Sequence, residues 1–311
     1  MITSIPDLDI YLLYYLDIKS LIRVTAIAKD QNRILSELKI VQELQSIKQK
    51  CIMMIIDRAA NYNYMSIIKW IHESVNKLEY YDAMNNAAKN GNIEMLEWFE
   101  SIGCSVNYNE YFIDTVAENG MINVLQWFKN SKYEFKYTTE AINLASQRGN
   151  IEVLEWFKNS GLEFKYSKRA INLACFYGKI EILDWFSESP YKFKYDEVAI
   201  DWASSCGHIS VLDWFSKSHY EFKYSKNAID YASCNGHISV LDWYHKSPYE
   251  FKYTKYSVIN ASRYGNILIL DWFLQSPYKF KYNSQAEYQA YKNNHNHILE
   301  WFTLNREKIE K

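Results

Sequence analysis

The stretch Thr138–Tyr166 reads TTEAINLASQRGNIEVLEWFKNSGLEFKY, and the chain repeats it with variation every 29 residues. Thr138 is placed to cap a helix, because its hydroxyl can accept from the orphan amides of a first turn. A short helix follows through Ala145, and Gly149 ends it, where positive φ costs glycine little. A second helix starts at Asn150. Ile151, Leu154 and Phe157 fall at helical spacing, and Val153 and Trp156 widen the stripe. A helix apolar over most of its circumference has to be packed on more than one side. The closing Phe164-Lys165-Tyr166 reads as an extended stretch that feeds the next helix, with Phe and Tyr on one side and Lys on the other.

Outward from this stretch the register holds. Gly91, Gly120, Gly149, Gly178, Gly207, Gly236 and Gly265 are each 29 apart, as are Trp98, Trp127, Trp156, Trp185, Trp214, Trp243, Trp272 and Trp301, and Trp70 lies 28 before Trp98. Ser167, Asp196, Ser225 and Thr254 occupy the place of Thr138, and the FKY triplet recurs from Phe135 to Phe280. A small residue stands four before each glycine (Ala87, Ala145, Ala174, Ala203, Ala232, Ala261, with Val116 the exception), which lets neighbouring helices approach closely. Asn63 and Asn294 replace the glycine in the end repeats, and Asn tolerates the left-handed backbone better than most residues. A 29-residue piece cannot hide its own apolar faces, so the repeats must stack. The fold class is therefore all-α: a solenoid of stacked helix pairs over 51–311, about nine repeats, with a small helical module over 1–50.

Composition narrows the function. The 311 residues are 48% hydrophobic, with 35 basic and 37 acidic side chains and a formal charge of −2. That balance gives no case for gripping nucleic acid or an anionic membrane, and no apolar run approaches a membrane span. The N-terminal apolar patch lacks a basic lead and a small-residue cleavage site, so it reads as folded protein rather than a signal peptide. Five cysteines without C-x-x-C spacing read as reduced thiols, which places the chain in the cytoplasm. No phosphate loop, Ser-His-Asp set or paired catalytic carboxylates appear. The expectation is a protein that is not an enzyme, has no cofactor, metal or small-molecule substrate, and works by holding other proteins.

The run LASQRGNIEVLEWF (Leu144–Phe157) resembles the ankyrin-repeat core, and His208 and His237 supply that family's Gly-His dipeptide. The resemblance covers roughly residues 52–305. It departs in length, 29 against 33, and in the T-P-L-H stretch, here Glu140-Ala141-Ile142-Asn143. It implies stacked helix pairs without projecting β-hairpin fingers, and a partner-binding groove lined by the first helices. The wealth of Asn, Ile, Lys and Tyr is similar to the ankyrin sets of giant viruses of amoebae, which implies the host cytoplasm.

Residues 1–50 lie outside the repeat. Ile5-Pro6-Asp7-Leu8, Leu12-Leu13-Tyr14-Tyr15-Leu16-Asp17 and Lys19-Ser20-Leu21-Ile22-Arg23-Val24 resemble an F-box, a short helical module that binds the Skp1-like linker of cullin-type ubiquitin ligases. The resemblance implies that Pro6, Leu8, Leu12, Leu13, Leu16, Leu21, Ile22 and Val24 form the apolar contact face. Ile18 replaces the usual proline, and Ala28 and Gln31 replace the late Cys and Trp. The alternative is a helical cap that covers the first repeat.

Candidate sites follow from the repeat. His208, His237 and His295 share the place after the glycine and read as turn-stabilising hydrogen bonders. His72, His219 and His245 read as exposed and isolated. The acid before each tryptophan (Glu97, Glu155, Asp184, Asp213, Asp242, Asp271, Glu300) reads as a solvated column, with pairing to the FKY lysines as the alternative. The Trp column reads as core. Partner binding should lie where the repeat varies. Positions −10, −6 and −2 from each glycine fall four apart on one side of the first helix. They are Thr139, Asn143, Gln147; Lys168, Asn172, Phe176; Glu197, Asp201, Ser205; Lys226, Asp230, Cys234; and Lys255, Ile259, Arg263. This stripe, with Phe176, Tyr177 and Tyr264 as aromatic anchors, is the expected partner groove. Simple exposure also accounts for its variation.

Overall fold

The computed structural model describes residues 50, 52–75, 80–104 and 110–309. Residues 1–49, and with them every F-box-like position named above, lie outside the described residues. Among the described residues the fold is all helix, eighteen helices and no strand. The first helices of the repeats are α1 (52–61), α3 (Tyr81–Lys89), α5 (Glu110–Glu118), α7 (Glu140–Arg148), α9 (Lys168–Phe176), α11 (Glu197–Ser205), α13 (Asn227–Cys234), α15 (Lys255–Arg263) and α17 (Ser284–Lys292). The second helices are α2 (Met65–Ser74), α4 (Ile93–Ser101), α6 (Ile122–Asn130), α8 (Ile151–Asn159), α10 (Ile180–Glu188), α12 (Ile209–Lys217), α14 (Ile238–Lys246), α16 (Ile267–Gln275) and α18 (Asn296–Ile309).

The described residues divide into two compact units, one within 50–104 with Gln126–Glu134, the other Glu110–Leu125 with 135–309. In the first unit Ile56, Ile68, Met84, Met95, Leu96 and Phe99 are buried. Asn86 and Asn90 donate to the backbone carbonyls of Asp57 and Asn61, 29 residues earlier.

In the second unit each first helix packs on the first helix of the next repeat, while second helices meet more sparsely. The core repeats with the sequence. Ala141, Ile142 and Ala145 of α7 and Val153, Leu154 and Phe157 of α8 are fully buried, and their equivalents recur through Phe302. Each buried Phe contributes about 1.5–3 kcal/mol of apolar transfer.

The expected punctuation is present. The hydroxyls of Thr138, Ser167, Ser225 and Thr254 each accept from the amide two residues on, at 3.0, 3.2, 3.1 and 3.1 Å. Gly149 caps α7 at φ 82°, and Asn63 and Asn294 stand in for glycine at φ 62° and 60°. The FKY triplets are irregular chain, so no hairpin finger forms. Among the five caps expected from sequence, Asp196 is the exception. It makes no cap bond and instead accepts from Lys168 Nζ (2.5 Å) and Asn172 Nδ2 (2.7 Å) of the preceding repeat.

Candidate functional site

Bonds between repeats decide which side chains are left to meet a partner. The first set runs from position −6 to the cap 24 residues later. Asp114 accepts from Thr138 N (2.9 Å) and Thr138 Oγ1 (2.5 Å), and Asp201 accepts from Ser225 N (2.8 Å) and Oγ (2.5 Å). Asp230 accepts from Thr254 N (2.9 Å) and Oγ1 (2.6 Å), and from the Ser257 hydroxyl. Asn143 does the same with Ser167 N (3.2 Å), and its amide donates to Ser167 Oγ (3.1 Å). Burial pushes the Asp114 and Asp201 carboxyls above the ordinary range, and the bonds from Thr138 and Ser225 oppose that.

This corrects the groove expected from sequence. Asn143, Asn172, Asp201, Asp230 and Ile259 are buried, at 5% exposure or less, and do not form the exposed stripe that the spacing implied. The −10 residues Thr139, Lys168, Glu197, Lys226 and Lys255 are exposed, as are Arg263, Tyr177 and Tyr264, while Gln147, Phe176, Ser205 and Cys234 are half-buried. The physical reason is that the cap of the next repeat lies over position −6. A buried polar group there needs a hydrogen-bonding partner, and the cap supplies it.

A second set of bonds ties the residue after the glycine to the carbonyl 32 residues earlier. Asn150 Nδ2 donates to Glu118 O (2.8 Å) and Asn266 Nδ2 to Cys234 O (2.8 Å). His208 Nε2 lies 3.0 Å from Phe176 O. A carbonyl only accepts, so His208 carries its proton on Nε2. His208, and His237 with the Ser205 backbone, are thus hydrogen bonders, but they tie one repeat to another. The other three also have partners, although they are exposed: His72 Nδ1 with Tyr80 Oη (2.8 Å), His245 Nδ1 with Tyr278 Oη (3.3 Å), and His219 against the Tyr220 ring (4.0 Å).

The Trp and acid columns answer each other, which the sequence reading missed. From Trp185 to Trp301 the indole N–H of each in-register tryptophan donates to the acid of the preceding repeat: Trp185 to Glu155 (2.5 Å), Trp214 to Asp184 (2.6 Å), Trp243 to Asp213 (2.7 Å), Trp272 to Asp242 (2.7 Å) and Trp301 to Asp271 (2.6 Å). At Glu155 the indole bond, then Lys158, holds the carboxyl below the ordinary carboxylate range. Most of these tryptophans are half-buried rather than core; Trp70 is exposed and Trp301 buried. Trp214 and Tyr220 lie nearly parallel to Phe193, at centroid distances of 5.5 and 4.1 Å. Lys165, Lys194, Lys223, Lys252 and Lys281 of the FKY triplets face tyrosine rings rather than the acid column. Lys194, Lys252 and Lys281 lie over the tyrosines of the preceding triplet, 4.0, 4.3 and 3.8 Å from the ring centroids. Those tyrosines donate forward to a backbone carbonyl 26 residues on, as Tyr195 does to Glu221 O (2.6 Å).

What remains for a partner is the outer side of the first helices. Tyr177, Tyr231, Tyr256 and Tyr264 are each 44–55% exposed there. Phe176 is half-buried between Tyr177 (4.9 Å, edge-on) and Trp202 (5.5 Å, edge-on). Trp202 was not anticipated. It is the tryptophan that breaks the 29-residue register, and that was the available signal. Cys104, Cys175, Cys206 and Cys234 are free thiols. Among the described residues no cluster of His, Cys, Asp or Glu is arranged to hold a metal, and no helix is long and apolar enough to cross a membrane. No family model matches the chain, and no curated protein matches it.

Proposed function

We propose that the chain is an ankyrin-type protein-binding module that holds a partner on its first-helix face, and that residues 1–50 dock it, F-box fashion, on a Skp1/cullin-type ubiquitin ligase. One observation carries the binding reading. The side chains that recur along the array are buried in the core or bonded between repeats, whereas exposed ones at −10 and −1 vary along the array and include Tyr177 and Tyr264. Exposed tyrosines on a rigid scaffold bring large contact area at little entropic cost, as binding surfaces require.

The ligase role rests on the residues that resemble an F-box, Pro6 and Leu8 through Val24. A plain scaffold that masks or tethers a protein would share the first-helix face and lack that end. Retention of purified Skp1 by the full chain separates the two. Loss of retention in the Leu12→Asp, Leu16→Asp variant supports the adaptor; no retention by the wild type, or retention unchanged in the variant, removes it. For the face itself, Tyr177→Ala should weaken partner capture with unchanged thermal unfolding, and equal capture would remove this face.

A further inference from the structure

The bond from position −6 to the next cap is missing between α15 and α17. Ile259 stands where Asp114, Asp201 and Asp230 stand in other repeats, and Asn283 occupies the cap. The Asn283 Oδ1 atom is buried without a hydrogen-bond partner, and α17 has no side-chain cap bond. Where the clasp is absent, a cleft of about 420 Å3 opens between the two helices, floored by Ile259 and walled by Tyr256.

The lining has a definite chemistry. Lys255 and Arg263 supply two cations, no Asp or Glu lines the cleft, and the remaining side chains are the carboxamides Asn260, Asn283, Gln285 and Gln289. In the equivalent place Lys168 is neutralised by Asp196 at 2.5 Å, whereas Lys255 faces Asn283, which carries no charge. A carboxamide offers one acceptor and two donors, the complement of a peptide group. The buried Asn283 oxygen, in particular, calls for a donor.

Resting on the reading that this face holds a protein, we infer that the α15–α17 cleft takes an extended acidic segment of the partner. Its carboxylates would meet Lys255 and Arg263, and its backbone N–H groups would meet the carboxamides. The two cations are eight residues apart on one helix, about 12 Å at 1.5 Å per residue. An extended chain spans that distance in about four residues at roughly 3.3 Å each. The preferred segment therefore carries acids four positions apart.

The test is fluorescence anisotropy of the full chain with a labelled peptide, Gly-Ser-Glu-Gly-Ser-Gly-Glu-Gly-Ser, and its twin with Gln for both Glu. The Glu peptide should bind at least about tenfold more tightly than the twin, and Lys255→Glu and Arg263→Glu should each weaken it about tenfold, the loss of one interfacial ion pair. Lys217→Glu, exposed at the end of the second helix α12 and away from the first-helix face, should leave binding unchanged. Circular dichroism melts of each variant keep loss of fold separate from loss of binding. Equal binding of the twin, no binding of the Glu peptide, indifference to both reversals, or tighter binding of an oligothymidylate would each overturn the inference. Partner capture that stays sensitive to Tyr177→Ala while the Glu peptide fails would sink the acidic cleft alone. Insensitivity in both assays would sink the whole binding face.

Discussion

The indole N–H of Trp243 donates to the Asp213 carboxylate at 2.7 Å, from one repeat to the acid of the repeat before it. A half-buried indole wants a partner for its N–H, and an ionised acceptor makes the bond stronger than a neutral one. Trp243→Phe and Asp213→Ala should each destabilise the chain, and the double variant should fall short of their sum. The coupling in a double-mutant cycle by urea denaturation is expected at about 1 kcal/mol. A coupling of zero would mean that the two columns merely run side by side.

Asp57 should set a pH dependence of opposite sign to most carboxylates. It occupies position −6 before Asn63, but Tyr80 stands at the next cap, so no Ser or Thr hydroxyl is there for it to accept from. Burial first, then the charge of Asp82, pushes its pKa from 3.8 up to about 6. A raised folded-state value means that the folded form holds the proton more tightly than the unfolded chain. The stability this contributes is complete below the ordinary value of 3.8 and is lost as pH rises through about 6. Asp57→Asn should therefore raise the melting temperature at pH 7 and flatten its fall between those two values. A variant with an unchanged pH profile would refute the assignment.

The periodic residues made the fold readable, because glycine, cap and Phe columns each have one local job. The exposed side of the first helices is less legible in the sequence. Counting by fours put −10, −6 and −2 on one side of a helix, and that geometry is right, but it says nothing of what the next repeat lays on top. Asn143 and Asp230 are polar, so they read as surface. Their burial becomes visible only when each is paired with a hydroxyl 24 residues on. The Trp–acid bonds were hidden for the same reason: spacing within a repeat does not reveal which column of the neighbour it faces.

Two glycines with the same backbone should respond differently to alanine. Gly161 has φ 77° and a Cβ there would meet nothing within 4 Å, so Gly161→Ala should cost only the left-handed strain, about 1 kcal/mol. Gly207 has φ 74°, but its added Cβ would lie 2.8 Å from Nδ1 of His237 in the next repeat. That ring has to move, and with it the contact between repeats, so Gly207→Ala should cost about 2–3 kcal/mol. Urea midpoints compare the two directly, and equal shifts would show that the glycine column serves the turn and not the approach of the next repeat.

Tyr244 takes the place that Phe holds in the other seven repeats from Phe99 to Phe302, and its fully buried hydroxyl lies 3.2 Å from Ser204 Oγ. The equivalent serines Ser146, Ser233 and Ser262 instead donate to the carbonyl four residues back, at 2.7, 2.7 and 2.8 Å. The two halves of this bond are therefore unequal. Removing the tyrosine hydroxyl leaves Ser204 free to turn to the Ile200 carbonyl, so Tyr244→Phe should cost less than about 1 kcal/mol. Removing the serine hydroxyl strands a buried phenol that has no such local acceptor, so Ser204→Ala should cost about 1–3 kcal/mol. Adding Tyr244→Phe to Ser204→Ala should then restore most of the loss, because two apolar groups in place of a bonded pair leave nothing unsatisfied. Denaturation of the three variants decides it: if the double variant is no more stable than Ser204→Ala, the stranded hydroxyl is not what the serine variant suffers from.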